Sequence, residues 1–169
     1  MLEFALSGLR SGLRGRSFHA VFVLGVLLIG VAYLSGFFSP RQPQTVALDV
    51  GFSGMRFSLV LLNLFWVQEL VAREIDRKII LFSLAYPVSR AAFLAGRFAA
   101  VLILSMLAAI VLGLLLLAVT MGGAYGQEFA PVLGVPFWAT VAGFVLDAAL
   151  VGAFSLCIAT LSKVSALPL

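Results

Sequence analysis

The sequence predicts an all-α, polytopic membrane protein, with an amphipathic interfacial helix at the N-terminus, four transmembrane helices and both ends in the cytoplasm. Three observations carry that expectation. The chain of 169 residues is 63% hydrophobic and only 11% charged, with a mean hydropathy of +1.17. Too few polar residues remain to cover an apolar core in water. Four apolar runs, 18–38, 55–71, 98–119 and 137–161, are long enough to cross a hydrocarbon layer of about 30 Å, which takes on the order of 20 helical residues. The basic residues gather at the ends of these runs. Backbone groups in lipid must bond within the chain, which favours helices, and period-2 alternation is too weak for a barrel.

Before the first span, Leu2, Leu6, Leu9 and Leu13 recur at helical spacing, while Ser7, Arg10, Ser11 and Arg14 fall on other sides. That pattern suits a helix over 1–17 lying in the interface, leucines toward the acyl chains and arginines among headgroups. The run 18–38 is too long for a signal-peptide core and no small-residue cleavage pattern follows it, so it reads as a retained span. The second run is the least apolar, with Arg56, Asn63, Gln68 and Glu69 in or beside it. The connections 39–54 and 120–136 carry Pro40, Pro43, Gly51, Gly122, Gly123, Gly126, Pro131 and Pro136 and read as outer loops. The whole chain forms one transmembrane domain.

Orientation follows from basic residues. Arg10, Arg14 and Arg16 precede the first span, Arg73, Arg77, Lys78, Arg90 and Arg97 lie between the second and third, and Lys163 follows the fourth. Only Arg41 and Arg56 flank the outer connections. The bias places both ends and the 72–97 loop in the cytoplasm, with the protein in the cytoplasmic (inner) membrane. The formal charge of +4 serves this topology and lipid phosphates rather than nucleic acid.

Enzyme chemistry is not expected. There is no GxxxxGK[ST] phosphate loop, no HxxxH or CxxC spacing for zinc, and the single histidine, His19, has no cue to a nucleophile partner. The single cysteine, Cys157, reads as a small hydrophobe in an apolar run. No catalytic, cofactor or metal-ligating residue is therefore assigned.

The informative segment is the basic loop. Val71, Ile75, Ile79 and Phe82 step by four, four and three, one face of a helix continuing past the second span. Glu74 and Lys78 form an i,i+4 pair in the favourable order. Pro87 ends that helix, Tyr86 is pushed toward extended backbone, and Ser89 is placed to cap a new helix through Arg90 and Arg97 into the third span. Arg90 falls in a first turn, where a cation is disfavoured and needs an acidic or phosphate partner.

Glu74 with its basic neighbours, then Pro87-Val88-Ser89-Arg90, then Gly96-Arg97 leading into a span, resembles the signature loop of ABC-2 type transporter permeases, the membrane subunits of one class of ATP-binding-cassette exporters. The amphipathic N-terminal helix resembles that family's connecting helix. The resemblance implies that the loop docks on a separate cytoplasmic ATPase, which binds ATP and Mg, and that two permease units, identical or homologous, pair around a transport route. Arg73, Glu74, Asp76, Arg77, Lys78, Pro87, Ser89 and Arg90 are the expected coupling residues. This chain has Lys78-Ile79 where many members have Gly-Thr, and four spans where members usually have six, so the family pattern suggests truncation or completion by another polypeptide.

Within the spans, Asp147 near the middle of the fourth carries a cost of roughly 2.5–3.5 kcal/mol if ionised. It and Asn63 are candidates for an intramembrane path or gate, or for a structural hydrogen bond to each other. Gln68 and Glu69 read as interfacial, and Gly113, Gly143 and Gly152 as points of close helix approach. A four-span scaffold or assembly factor is the alternative to an exporter. An oligomeric channel finds little support, since no predicted span shows a sustained polar stripe.

Overall fold

The computed structural model describes residues 16–68, 90–122, 131 and 133–164. They form four long helices: α1 (Arg16–Phe37), α2 (Pro43–Val67), α3 (Arg90–Gly122) and α4 (Val135–Val164). Each contains a segment long and apolar enough to cross a membrane: His19–Phe37, Pro43–Val67, Phe98–Gly122 and Val135–Ile158. The all-α expectation of a polytopic membrane chain is met. The interfacial helix expected over 1–17 falls almost entirely outside the described residues, with α1 beginning at Arg16.

One predicted boundary is wrong in an instructive way. The stretch 39–54, expected as an outer loop, is helical from Pro43 onward. Proline breaks a helix interior, but at the first position its missing N–H is one the helix would leave unbonded anyway, and its fixed φ suits the turn. Gln42 stands outside the helix at φ −140°, ψ 60°, and its carbonyl accepts from the Val46 N–H at 3.1 Å. The link from α1 is therefore short, closed by N–H bonds from Phe38 to Ser35 O and from Ser39 to Gly36 O, both 3.2 Å. At the other end Gln68 keeps helical dihedrals (−62°, −42°). Likewise α4 begins at Val135, earlier than the predicted 137, because Pro136 fits its first turn. α3 is helical from Arg90, so the 98–119 span is the membrane part of a longer element.

α2 is the hub, packed against α1, α3 and α4. Contacts pair Gly54 with Leu28 and Gly51 with Leu116, on two sides of the helix. Phe52 meets Phe137 and Phe144 of α4, at centroid distances of 5.3 and 5.7 Å, on another. These registers make α2 antiparallel to α1 and α3 and parallel to α4. The core runs along the hub as Met55, Leu59, Leu62 and Trp66, with Leu104, Leu112 and Leu116 of α3 and Ile29 of α1. Large apolar side chains such as Leu27, Leu34, Leu114, Leu146, Leu150 and Phe154 point outward and exposed. That arrangement suits a hydrocarbon surround and is unfavourable in water.

Close approach between α1 and α2 depends on Gly54. A Cβ there would lie 2.9 Å from Leu28 Cβ, an atom fixed to the backbone that cannot swing aside. Gly54→Ala is expected to lower stability by about 1–3 kcal/mol through separation of the two helices. Gly30→Ala, at a position with nothing within 4 Å, is expected to be near neutral. Thermal unfolding of both variants in detergent checks the contrast.

Candidate functional site in the α2–α4 seam

Within hydrocarbon a polar side chain needs a partner inside the protein. Ser58, Ser105 and Thr120, all buried, solve this locally by donating to carbonyls of their own helix. The acceptors are Gly54 O at 2.8 Å, Val101 O at 2.7 Å, and Leu116 O and Leu117 O, each at 3.0 Å. Asn63 has too many polar groups for that. Its amide donates to Leu59 O at 2.9 Å and across to Ser105 Oγ of α3, also at 2.9 Å. The Ser105 hydroxyl also lies 3.2 Å from Asn63 Oδ1, a second route for its single proton. The carbonyl end of Asn63 rests on Gly152 of α4, where a Cβ would come within 3.1 Å of Oδ1. Asn63 is thereby fully buried among three helices.

Asp147 is not beside Asn63. Its Oδ2 accepts from Arg56 Nη2 of α2 at 2.8 Å. The suggested Asn63–Asp147 bond is therefore corrected: each of the two has another partner. Asn63 lies seven residues beyond Arg56, about 10 Å farther along the axis at 1.5 Å per residue. Arg56, assigned from sequence to the outer flank, moves into the span because α2 starts at Pro43. It lies about 20 Å along α2 and Asp147 about 18 Å along α4, near the middle of both.

Parallel helices make this seam readable in layers. Phe52, Phe137 and Phe144 form an aromatic contact nearest the α2 and α4 starts, the Arg56–Asp147 pair follows, and Asn63 on Gly152 lies beyond. The ion pair sits at the edge of the bundle, with side chains 61% and 40% exposed. On the same open flank of α2, Asp49 and Ser53 are also exposed, and Ser53 Oγ donates to Asp49 O at 2.8 Å. Asp49, Ser53 and Arg56 step by four and three, so they share one face. The sequence reading found no polar stripe because it placed two of these residues in a loop.

Of the expected coupling residues, Arg73, Glu74, Asp76, Arg77, Lys78, Pro87 and Ser89 lie outside the described residues, and Arg90 is the first residue of α3. Cys157 is exposed on α4. Among the described residues, no group of three His, Cys, Asp or Glu side chains is placed to hold a metal ion.

Removing the arginine alone strands a carboxylate at mid-depth, whereas neutralising both members removes the need for a partner. Arg56→Gln is expected to destabilise the fold by about 2–3 kcal/mol, and the Arg56→Gln/Asp147→Asn double variant by less than that single change. For the amide, Ser105→Ala is expected to cost about 0.6–1.7 kcal/mol and to be largely non-additive with Asn63→Leu. Unfolding measured across each double-mutant cycle checks these couplings. A scan against protein-family models and searches of the curated proteins and of the solved structures found no match to this chain.

Proposed function

We propose that the chain is a permease subunit of an ABC-2 type exporter, moving a substrate outward across the cytoplasmic membrane by alternating access. A separate cytoplasmic ATPase, docked on the 72–97 loop, supplies the energy and binds ATP and Mg, and a second permease unit completes the route. The observation that carries a transport reading is the Arg56–Asp147 pair at mid-depth in two spans. Ionised groups there cost several kcal/mol and are found where a path, relay or gate makes use of them.

The contact is also suited to a gate. It is a single ion pair at the bundle edge between α2 and α4, so modest relative movement of the two helices breaks or remakes it. Asn63, locked to Ser105 and Gly152, would hold the seam farther along while the pair opens. Orientation supports the reading as well. With Arg56 inside the membrane, the outer connections retain Arg41 alone, and the basic residues of the N-terminal segment, the 72–97 loop and Lys163 mark the cytoplasmic side.

The ATPase partner rests on the residues of the loop. Charge reversal at Glu74 or Arg90 is expected to uncouple ATP hydrolysis from transport while leaving membrane insertion intact. The check is to reconstitute the chain with its ATPase and measure ATPase rate and vesicle uptake side by side. Full coupling in both variants would refute the loop's role.

A further inference from the structure

The transport reading calls for a second permease unit without saying which face receives it; the open flank of α2 supplies a candidate. α1, α3 and α4 cover the other sides of α2 through Gly54, Gly51 and Phe52. The uncovered side carries Ser53 and Arg56, with Asp147 beside it on α4. Asp49 lies about 9 Å from the helix start, within reach of headgroups and water, and needs no further cover. The ion pair does. A guanidinium has five N–H donors, and among the described residues its one ion-pair partner is Asp147, through a single Nη2–Oδ2 contact. At mid-depth the nearest lipid phosphates are about 15 Å away, half the hydrocarbon thickness.

We propose that this flank binds a second copy of the chain about a two-fold axis along the membrane normal, with the Arg56 of each copy facing the Asp147 of the other. The flank is its own complement. α2 and α4 are parallel, and the two charges lie side by side at one depth. A two-fold operation along the normal exchanges left and right and keeps depth, so it sets plus against minus on both sides. Four charges then alternate in a ring, each guanidinium meeting two carboxylates and each carboxylate two guanidiniums. Leu150 and Phe154, three and seven residues beyond Asp147 on the same face of α4, are exposed along the flank, and Leu64 of α2 lies farther along it. The inference deepens the transport reading by giving the second unit a face, but its physical basis is the ion pair alone.

The decisive experiment mixes two single variants of the full chain. Arg56→Asp makes the flank wholly acidic and Asp147→Arg makes it wholly basic. Each alone is expected to lose homodimer by about tenfold or more, since like charges then face each other. Co-expressed with different affinity tags, the two are expected to purify together as a one-to-one dimer, because every facing pair is again opposite in sign. An ion pair serving only within one chain is broken in both variants and would not be restored by mixing. A monomeric parent chain, homodimers indifferent to either change, or no mixed dimer from folded variants would overturn the proposal.

Should the charge variants fail to fold, Ser53→Cys in a Cys157→Ser background decides. Oxidation in membranes is expected to cross-link S53C chains and to leave Leu27→Cys chains, with the cysteine on the far flank of α1, as monomers. Labelling of the S53C chain by a membrane-impermeant thiol reagent without cross-linking would mean a water-filled flank and would overturn the proposal. A charge-dependent dimer that stimulates no ATPase would count against the transport reading alone. Coupled transport by a dimer indifferent to these charges would count against this interface alone.

Discussion

The scarcity of hydrogen-bond partners in hydrocarbon governs this bundle, and α2 is the helix on which it acts most strongly. Apolar side chains pack nearly as well against lipid as against one another, so they bring helices together without fixing how far one slides past its neighbour. Polar groups fix it. Ser58 and Ser105 satisfy their hydroxyls on their own backbones. Asn63 and Arg56 cannot, and each reaches across to another helix. The Asn63–Ser105 bond sets the register of α2 against α3, and the Arg56–Asp147 pair sets it against α4. Sliding either interface by one turn would displace these partners by about 5.4 Å and leave them unbonded.

Small residues make those contacts attainable. Gly54 lets α1 approach α2 closely enough for Leu28 to rest on its backbone, and Gly152 lets α4 approach the buried amide of Asn63. Close approach on three sides leaves α2 well covered except along one flank, and the ion pair is at the edge of that flank. α4 is held more lightly. Only 22% of its most apolar window is buried inside the bundle, against 50% for α3. Its ties to α2 include aromatic, ionic and amide contacts, and Phe137, Val141, Ala148 and Leu156 carry it into the shared apolar core.

The helical class and the four spans were legible in the sequence because length and hydropathy are local quantities. A run of apolar residues long enough to cross a bilayer has few alternatives once its backbone must bond to itself. The cost of Asp147 was legible for the same reason. Its partner was not. Pairing depends on register, and the register of α2 was hidden by its start. Pro43 and Gly51 read as loop signals, yet Pro43 occupies a first-turn position that accepts proline, and Gly51 packs beneath Leu116. Moving the start of α2 by twelve residues carries Asp49 and Ser53 from a loop onto a transmembrane face and takes Arg56 from the end of the span to its middle.

The sequence by itself thus determined the bilayer as solvent, the number of apolar crossings and the residues that would be costly within them. Tertiary structure alone decided which of those residues meet. It gave Asn63 to Ser105 and Gly152, and Arg56 to Asp147. The physical reason is that a charge or an amide announces its need for a partner in composition, whereas the partner's identity is set by distance and depth between helices far apart in the chain.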